Sequence, residues 1–111
     1  MNIQIYGKNK CFDTKKAERW FKERGIRFQS VDLLRVGMSA GELQSVLRAV
    51  GGIDALLDPK ARDAAVVRYL ARDEDKLERL LSDPSLIRTP VVRNGRQATC
   101  GYCPEVWSTW E

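Results

Sequence analysis

The sequence predicts an α/β chain, with a mixed four-stranded sheet whose two halves are separated by an inserted run of helices. Three observations predict it. The first 33 residues read as strand, helix, strand, and the crossover is long enough for a parallel pair. Helical periodicity then dominates from 38 to 83. From 86 onward, two extended segments flank an Asn-Gly pair and lead into a final helix. The expected organisation is a single domain over 1–111, with 1–33 and 86–111 as the sheet-bearing core and 38–83 as the insert.

Each element has a local reason. Asn2 to Tyr6 alternates polar and apolar side chains and reads as the first strand. A polar loop, Gly7 to Asp13, carries Cys11. Thr14 to Arg24 is periodic as a helix, with Ala17, Trp20, Phe21 and the Arg24 stem on one side. Asp13 or Thr14 is placed to cap it, and Gly25 to stop it. Arg27 to Leu33 alternates again. Ser39 to Val50 forms the next helix, because Ser39 stands three residues before Glu42 at capping-box spacing and Gly51-Gly52 ends the run. Ile53 to Leu57 is an apolar link. Two helices follow, over 60–71 burying Val66, Val67 and Leu70, and over 73–81 burying Leu77, Leu80 and Leu81. Thr89 to Arg93 is the third strand, Asn94-Gly95 its turn, and Arg96 to Cys100 an antiparallel fourth strand. Pro104 to Trp110 closes as a helix with Val106, Trp107 and Trp110 available for packing.

Composition narrows the chemistry. Among 111 residues, 43% are hydrophobic and 31% charged, an ordinary globular balance. There is no histidine, which excludes Ser-His-Asp and Cys-His catalysis and histidine-ligated metals. Three cysteines cannot complete a four-thiolate site in one chain, so no metal is expected. The odd cysteine count, and the absence of any leader-like or long apolar segment, point to a reducing cytoplasm and no membrane. The net charge of +4 is uneven, since the segment from Lys8 to Arg27 carries +5 and the rest −1. The surplus therefore surrounds Cys11. Most of these side chains read as a solvated helix face, and the remainder as a field that favours thiolate.

Cys11 sits just before the first predicted helix, near unpaired backbone N–H groups and the positive end of the helix dipole. Lys8, Lys10, Lys15 and Lys16 add positive potential. A thiol there should ionise below the free value of about 8.5 and act as a nucleophile. Thr14 either donates its hydroxyl to the sulfur or caps the helix. Cys100 and Cys103 form a C-x-x-C far from that helix start, and read as packing residues or half of a site shared between chains.

The order of elements is that of a thioredoxin-like fold with helices inserted between its halves. Ile5-Tyr6-Gly7 followed by Cys11, Val31-Asp32-Leu33, Met38-Ser39 with Glu42-Leu43, Leu86-Ile87-Arg88-Thr89-Pro90-Val91-Val92, and Gly101-Tyr102-Cys103-Pro104-Glu105-Val106-Trp107 together resemble the arsenate reductase (ArsC)/Spx family of glutaredoxin-like proteins. The match spans nearly the whole chain in the right order. The resemblance implies a cis peptide before Pro90, facing the cysteine, which would leave the Thr89 backbone amide to pair with a cysteinyl substrate. It implies a thiol oxidoreductase with Cys11 as thiolate nucleophile, acting on a small oxyanion or a thiol/disulfide substrate. No bound cofactor is implied. Glutathione, another low-molecular-weight thiol, or a glutaredoxin or thioredoxin partner would supply electrons.

This chain departs from the family in two places. Spx-type members carry a second cysteine where Thr14 stands, so the switch disulfide is missing. The arsenate reductases use three arginines besides the cysteine; here Asp58 or Lys60 stands at the first position with Arg62 nearby, Thr89 preceded by Arg88 at the second, and Cys103 at the third. Lys8, Lys10, Arg88 and Arg93 are the candidate substitutes. Because the last turn approaches the active cysteine in the family fold, Cys103 is also a candidate resolving thiol. The alternative function is an Spx-like regulator that, without turnover, binds the carboxy-terminal domain of the RNA polymerase alpha subunit. Nucleic acid ranks low as a partner, and a monomer is expected.

Overall fold

The computed structural model describes residues 1–110. Glu111, which the ranges 1–111 and 86–111 include, lies outside the described residues. The elements run β1 (Ile3–Gly7), α1 (Phe12–Glu23), β2 (Phe28–Asp32), α2 (Leu33–Val36), α3 (Ala40–Val50), a 3-10 turn (Asp54–Leu56), α4 (Ala64–Arg68), α5 (Asp73–Ser82), a second 3-10 turn (Pro84–Leu86), β3 (Val91–Asn94), β4 (Gln97–Cys100) and α6 (Pro104–Trp107). The sheet order is β2-β1-β3-β4. β1 pairs parallel with β2 from Ile3↔Phe28 and antiparallel with β3 from Ile3↔Asn94, and β4 completes the hairpin with Val91↔Cys100. This is the mixed four-stranded α/β arrangement the sequence predicts.

Because strand side chains alternate, the central strands serve two cores. Ile3, Ile5 and Val92 pack with Ala17, Trp20 and Phe21 of α1 and with Trp107 and Trp110. The rings stack edge-on, Trp20 to Trp107 at 5.5 Å between centroids. Tyr6 and Val91 face the other way, against Leu43 and Val46 of α3 and the inserted residues Leu56, Leu57, Val67, Leu80, Leu86 and Ile87. The insert is fastened to the core by two main-chain bonds, Asp58 N–H to Leu86 O at 2.8 Å and Arg88 N–H to Leu56 O at 2.7 Å. Among the described residues, no helix is long and apolar enough to cross a membrane.

Several local expectations are corrected. α1 begins at Phe12, so Cys11 itself is the N-cap and neither Asp13 nor Thr14 caps it. The strand expected through Leu33 stops at Asp32. Buried Leu33 opens the short α2, which Gly37 ends at φ +72°. The helix expected over 60–71 contracts to Ala64–Arg68. Asp58 Oδ1 accepts the Lys60 N–H at 2.9 Å, an Asx-type turn that competes with helix at that start. Val66 is exposed rather than buried, whereas Val67 is buried. In α5, Leu80 is buried while Leu77 and Leu81 are only partly so; Lys76 is buried instead, with Nζ 3.1 Å from Asp54 Oδ1. The hairpin turn is Gly95-Arg96, one residue later than expected, because Asn94 pairs with Gln97. Only Gly95 has positive φ there, as a turn with glycine at its first central position requires. The closing helix ends at Trp107, although Trp110 is still buried; Val106 is exposed. The α3 capping box forms as expected, with Ser39 Oγ accepting from Glu42 N and Glu42 Oε1 accepting from Ser39 N.

Candidate active site

The loop between β1 and α1 delivers Cys11 to the carboxyl end of β1. Its backbone is extended at φ −90° and ψ 112°, and no side chain caps α1, so the first helical N–H groups are left to the thiol. Cys11 Sγ lies 3.5 Å from the Thr89 carbonyl oxygen and donates to it. The Thr89–Pro90 peptide is cis, as the resemblance implies, and both residues are buried.

Burial alone would raise the Cys11 thiol. The Thr14 and Thr89 side chains, and the backbone N–H groups of Thr14 and Asp13, act against it and hold the thiol below its ordinary value. Thr14 Oγ1 is buried and makes no hydrogen bond of its own in the structure, so its hydroxyl is available to the sulfur. The mechanism is thus hydrogen bonding rather than the lysine field that the sequence suggests. Thr14 lies inside the helix and does not cap it.

The lysines are elsewhere. Lys8 Nζ bonds Asp58 Oδ2 at 3.1 Å and the Ser85 carbonyl at 2.9 Å, tying the cysteine loop to the insert. Burial raises Asp58, but the Lys60 N–H and the Lys8 ammonium hold its carboxyl below the usual range, so it neutralises Lys8. Lys10, Lys15, Lys16, Lys60 and Arg62 are exposed. Lys15 and Lys16 lie over the rings of Phe12 and Tyr102. Arg93 belongs to a network inside the sheet face, 3.6 Å from Glu42 and 3.3 Å from the Tyr6 hydroxyl. Arg88 is the exposed cation beside the thiols. Its guanidinium lies against Gly101, where a Cβ would stand 3.1 Å from Nη2.

The other two thiols flank the same segment. Cys100 Sγ donates to the Arg88 carbonyl at 3.3 Å, and burial pushes it up to about 12. Cys103 Sγ donates to the Cys100 carbonyl at 3.6 Å. Burial and then Glu105 raise Cys103, while Arg88 and Thr99 oppose them; the net shift is upward. The turn that carries it is stapled to the cis-proline segment by Gly101 N–H to Pro90 O at 2.8 Å.

Open spaces lie among the described residues. A cleft of about 280 Å³ between β1, β2 and the start of α1 is lined by Gly7, Lys8, Thr14, Lys15, Glu18 and Asp32 among others, a charge-balanced wall without a thiol. A larger one of about 550 Å³, between Ser45, Arg48, Ala49 and Arg96, touches none of the thiols.

Sequence reasoning overlooked two contributors. Gly7 leaves room for Thr14, and Asp58 cancels Lys8 across 50 residues. Gly7 was legible only as a loop glycine, and no local spacing signals the Lys8–Asp58 pair.

A lone cysteine at the start of the first helix, facing the residue before a cis proline in a β2-β1-β3-β4 sheet, defines the class: a thioredoxin-like fold with a helical insert. No family model matches the chain. It is 32% identical over 107 residues to the global transcriptional regulator Spx 2 of Oceanobacillus iheyensis, covering 92% of this chain and 78% of that protein. An ArsC-family related protein from Bacteroides fragilis superposes with a TM-score of 0.85 at 18% identity, over 97% of both chains. An arsenate reductase from Vibrio cholerae does so with a TM-score of 0.83 at 23% identity, over 96% of this chain and 94% of that one. The chain belongs to the ArsC/Spx family of thioredoxin-like proteins. That family's members include both regulators and reductases by name.

Proposed function

We propose that the chain is a glutaredoxin-type thiol oxidoreductase in which the Cys11 thiolate attacks a disulfide of a small thiol. The observation that carries this reading is Cys11 at the N-cap of α1, its sulfur 3.5 Å from the Thr89 carbonyl before the cis proline, with its thiol held below the ordinary value despite burial. An ionised sulfur at an exposed rim is the form that attacks. Cys11 takes one sulfur of the substrate into a mixed disulfide and releases the other as thiolate. Glutathione or another low-molecular-weight thiol, or a redoxin partner, returns the electrons.

A tetrahedral oxyanion such as arsenate fits this site poorly. Guanidinium forks would have to surround the sulfur. By the resemblance, Asp58 or Lys60 stands at the first arginine position, Thr89 at the second and Cys103 at the third; Asp58 cancels Lys8, and Arg88 lies against Gly101. Reduction of a glutathionylated substrate by wild type, abolished in Cys11→Ser, is the expected result. Equal rates in both proteins would remove the enzyme reading.

The second reading is a regulator that binds the carboxy-terminal domain of the RNA polymerase alpha subunit. It is favoured by the identity with Spx 2 and opposed by Thr14 where the switch cysteine would stand. Co-purification of the polymerase with the chain, unchanged by Cys11→Ser, would establish this reading in place of turnover.

A further inference from the structure

Two thiols meet one short segment, and the third bonds beside the second. Cys11 donates to the Thr89 carbonyl, Cys100 to the Arg88 carbonyl, and Cys103 to the Cys100 carbonyl. The two late cysteines are not equivalent. Cys100 packs with the core under α3 and the insert, on the far face of the sheet from α1. Cys103 packs against the core under α1, the cluster that includes Trp20, Phe21 and Trp107. Its turn is held to Pro90 by the Gly101 bond, and Lys16 of α1 lies over the neighbouring Tyr102 ring at 5.9 Å. Asp13, two residues from Cys11, acts electrostatically on Cys103. Cys103 thus lies on the α1 side of the sheet, in a turn that Lys16 of α1 reaches and that is bonded to the cis-proline segment Cys11 faces.

We propose that Cys103 is the resolving thiol for Cys11, so that the chain completes the first half of its cycle without a second small thiol. The proposal rests on Cys11 being the nucleophile argued above. With glutathione disulfide as substrate, the Cys11 thiolate attacks one sulfur, forming Cys11–S–S–glutathione and expelling one glutathione thiolate. Cys103, its proton lost to solvent, then attacks Cys11 Sγ. The bond to glutathione breaks, the second glutathione leaves as thiolate, and a Cys11–Cys103 disulfide remains. Two electrons have passed from the two cysteines to glutathione disulfide. A dithiol reductant of the thioredoxin class restores the pair by exchange.

Local chemistry supports this division of labour. The Trp107 indole N–H donates to Thr99 Oγ1 at 2.7 Å, which leaves the Thr99 hydroxyl proton for the Cys103 sulfur. Burial and Glu105 raise Cys103 while Arg88 and Thr99 act against them, and the more deeply buried Cys100 on the other face is raised to about 12. Cys103 stands where related reductases carry an arginine, so the same corner that would grip an oxyanion here offers a nucleophile.

The test uses reduced full-length protein treated with glutathione disulfide, quenched by acid and mapped by mass spectrometry. Wild type and Cys100→Ser are expected to show the Cys11–Cys103 linked peptides and no lasting glutathione. Cys103→Ser and Cys103→Ala are expected to hold glutathione on Cys11, with a lifetime extended about tenfold or more, because an external thiol lacks the effective concentration of a neighbour. An adduct that persists equally in wild type and both Cys103 variants overturns the resolving role and leaves the Cys11 nucleophile intact. A Cys100–Cys103 disulfide in wild type overturns it as well. No glutathione on Cys11 in any variant would bring down the nucleophile and, with it, this proposal.

Discussion

Gly7 lies directly beneath Thr14: a Cβ at position 7 would stand 2.2 Å from Thr14 Cγ2 and 2.9 Å from Oγ1. The glycine is required by space, since its φ is not among the positive ones. The end of β1 thus sets how far the first turn of α1 can descend, and hence where the Thr14 hydroxyl meets the Cys11 sulfur.

Gly7→Ala is expected to destabilise the fold by about 1–3 kcal/mol, the usual cost of an overpacked site, and to raise the thiol by displacing Thr14. Thr14→Ala removes the two atoms in closest conflict. In the double variant the loss of stability should therefore be smaller than the sum of the single losses, a coupling that urea titrations of all four proteins would measure. Simple additivity would refute the contact.

Thr14→Val keeps the shape and deletes the hydroxyl. The pH at which Cys11 alkylation reaches half its maximal rate should rise toward the free-thiol value of about 8.5. Stability should change by less than about 1 kcal/mol, because a buried hydroxyl that makes no hydrogen bond in the structure is removed along with its desolvation. An unmoved alkylation midpoint would show that the helix N–H groups alone set the thiol.

Glu42 joins three elements. Its carboxylate accepts from the Tyr6 hydroxyl at 2.6 Å and from Ser39 N at 2.9 Å, and it lies 3.6 Å from Arg93. The Tyr6 and Ser39 bonds hold it below the ordinary carboxylate value despite partial burial. A depressed acid contributes stability that is complete above its unfolded value of about 4.3 and lost as pH falls through the lower folded one. Glu42→Gln should therefore cost about 1 kcal/mol at neutral pH, a modest figure because the side chain is partly exposed. The gap to wild type should close in acid. A gap that persists below the folded value would contradict this sign.

Cys100 gives the opposite slope. Its folded thiol is raised to about 12 by burial, so the unfolded chain ionises first. Its contribution is complete below the unfolded value of about 8.5 and declines as pH rises beyond it. Cys100→Ala should flatten the alkaline loss of stability seen by urea unfolding between roughly pH 8 and 10.

Asp58→Asn should release Lys8. In wild type, sulfate is expected to leave Cys11 alkylation unaffected; in the variant it should slow alkylation in a salt-sensitive way, as an anion settles beside an uncancelled ammonium. Equal sulfate sensitivity in the two proteins would show that the ion pair does not govern access.

The elements with local grammar were legible in the sequence. The strand–helix–strand opening, the capping box of Ser39 and Glu42, the proline of the third strand and the position of Cys11 before a helix all rest on neighbours within a few residues. What escaped were contacts that only the fold creates. Lys8 reads as part of a positive field until Asp58, 50 residues on, is brought to it. Arg93 reads as a candidate substrate ligand until the Tyr6–Glu42 network claims it. The expected 60–71 helix has the right periodicity, but Asp58 turns back on the Lys60 N–H and Val66 faces solvent. Pattern reports which side chains would suit a core; which ones reach it depends on where the chain re-enters.

The paired bonds from Asp58 to Leu86 and from Arg88 to Leu56 have an architectural consequence. The chain leaves and returns through one narrow neck, bridged at Leu57↔Ile87, so the path between is a closed excursion. Closing a longer excursion costs only about 0.6 kcal/mol per doubling, and the neck insulates the thiols from what happens at the far tip, where Tyr69 is 86% exposed. That tip is where this molecule could be lengthened, cut or joined to another chain while its chemistry stayed in place.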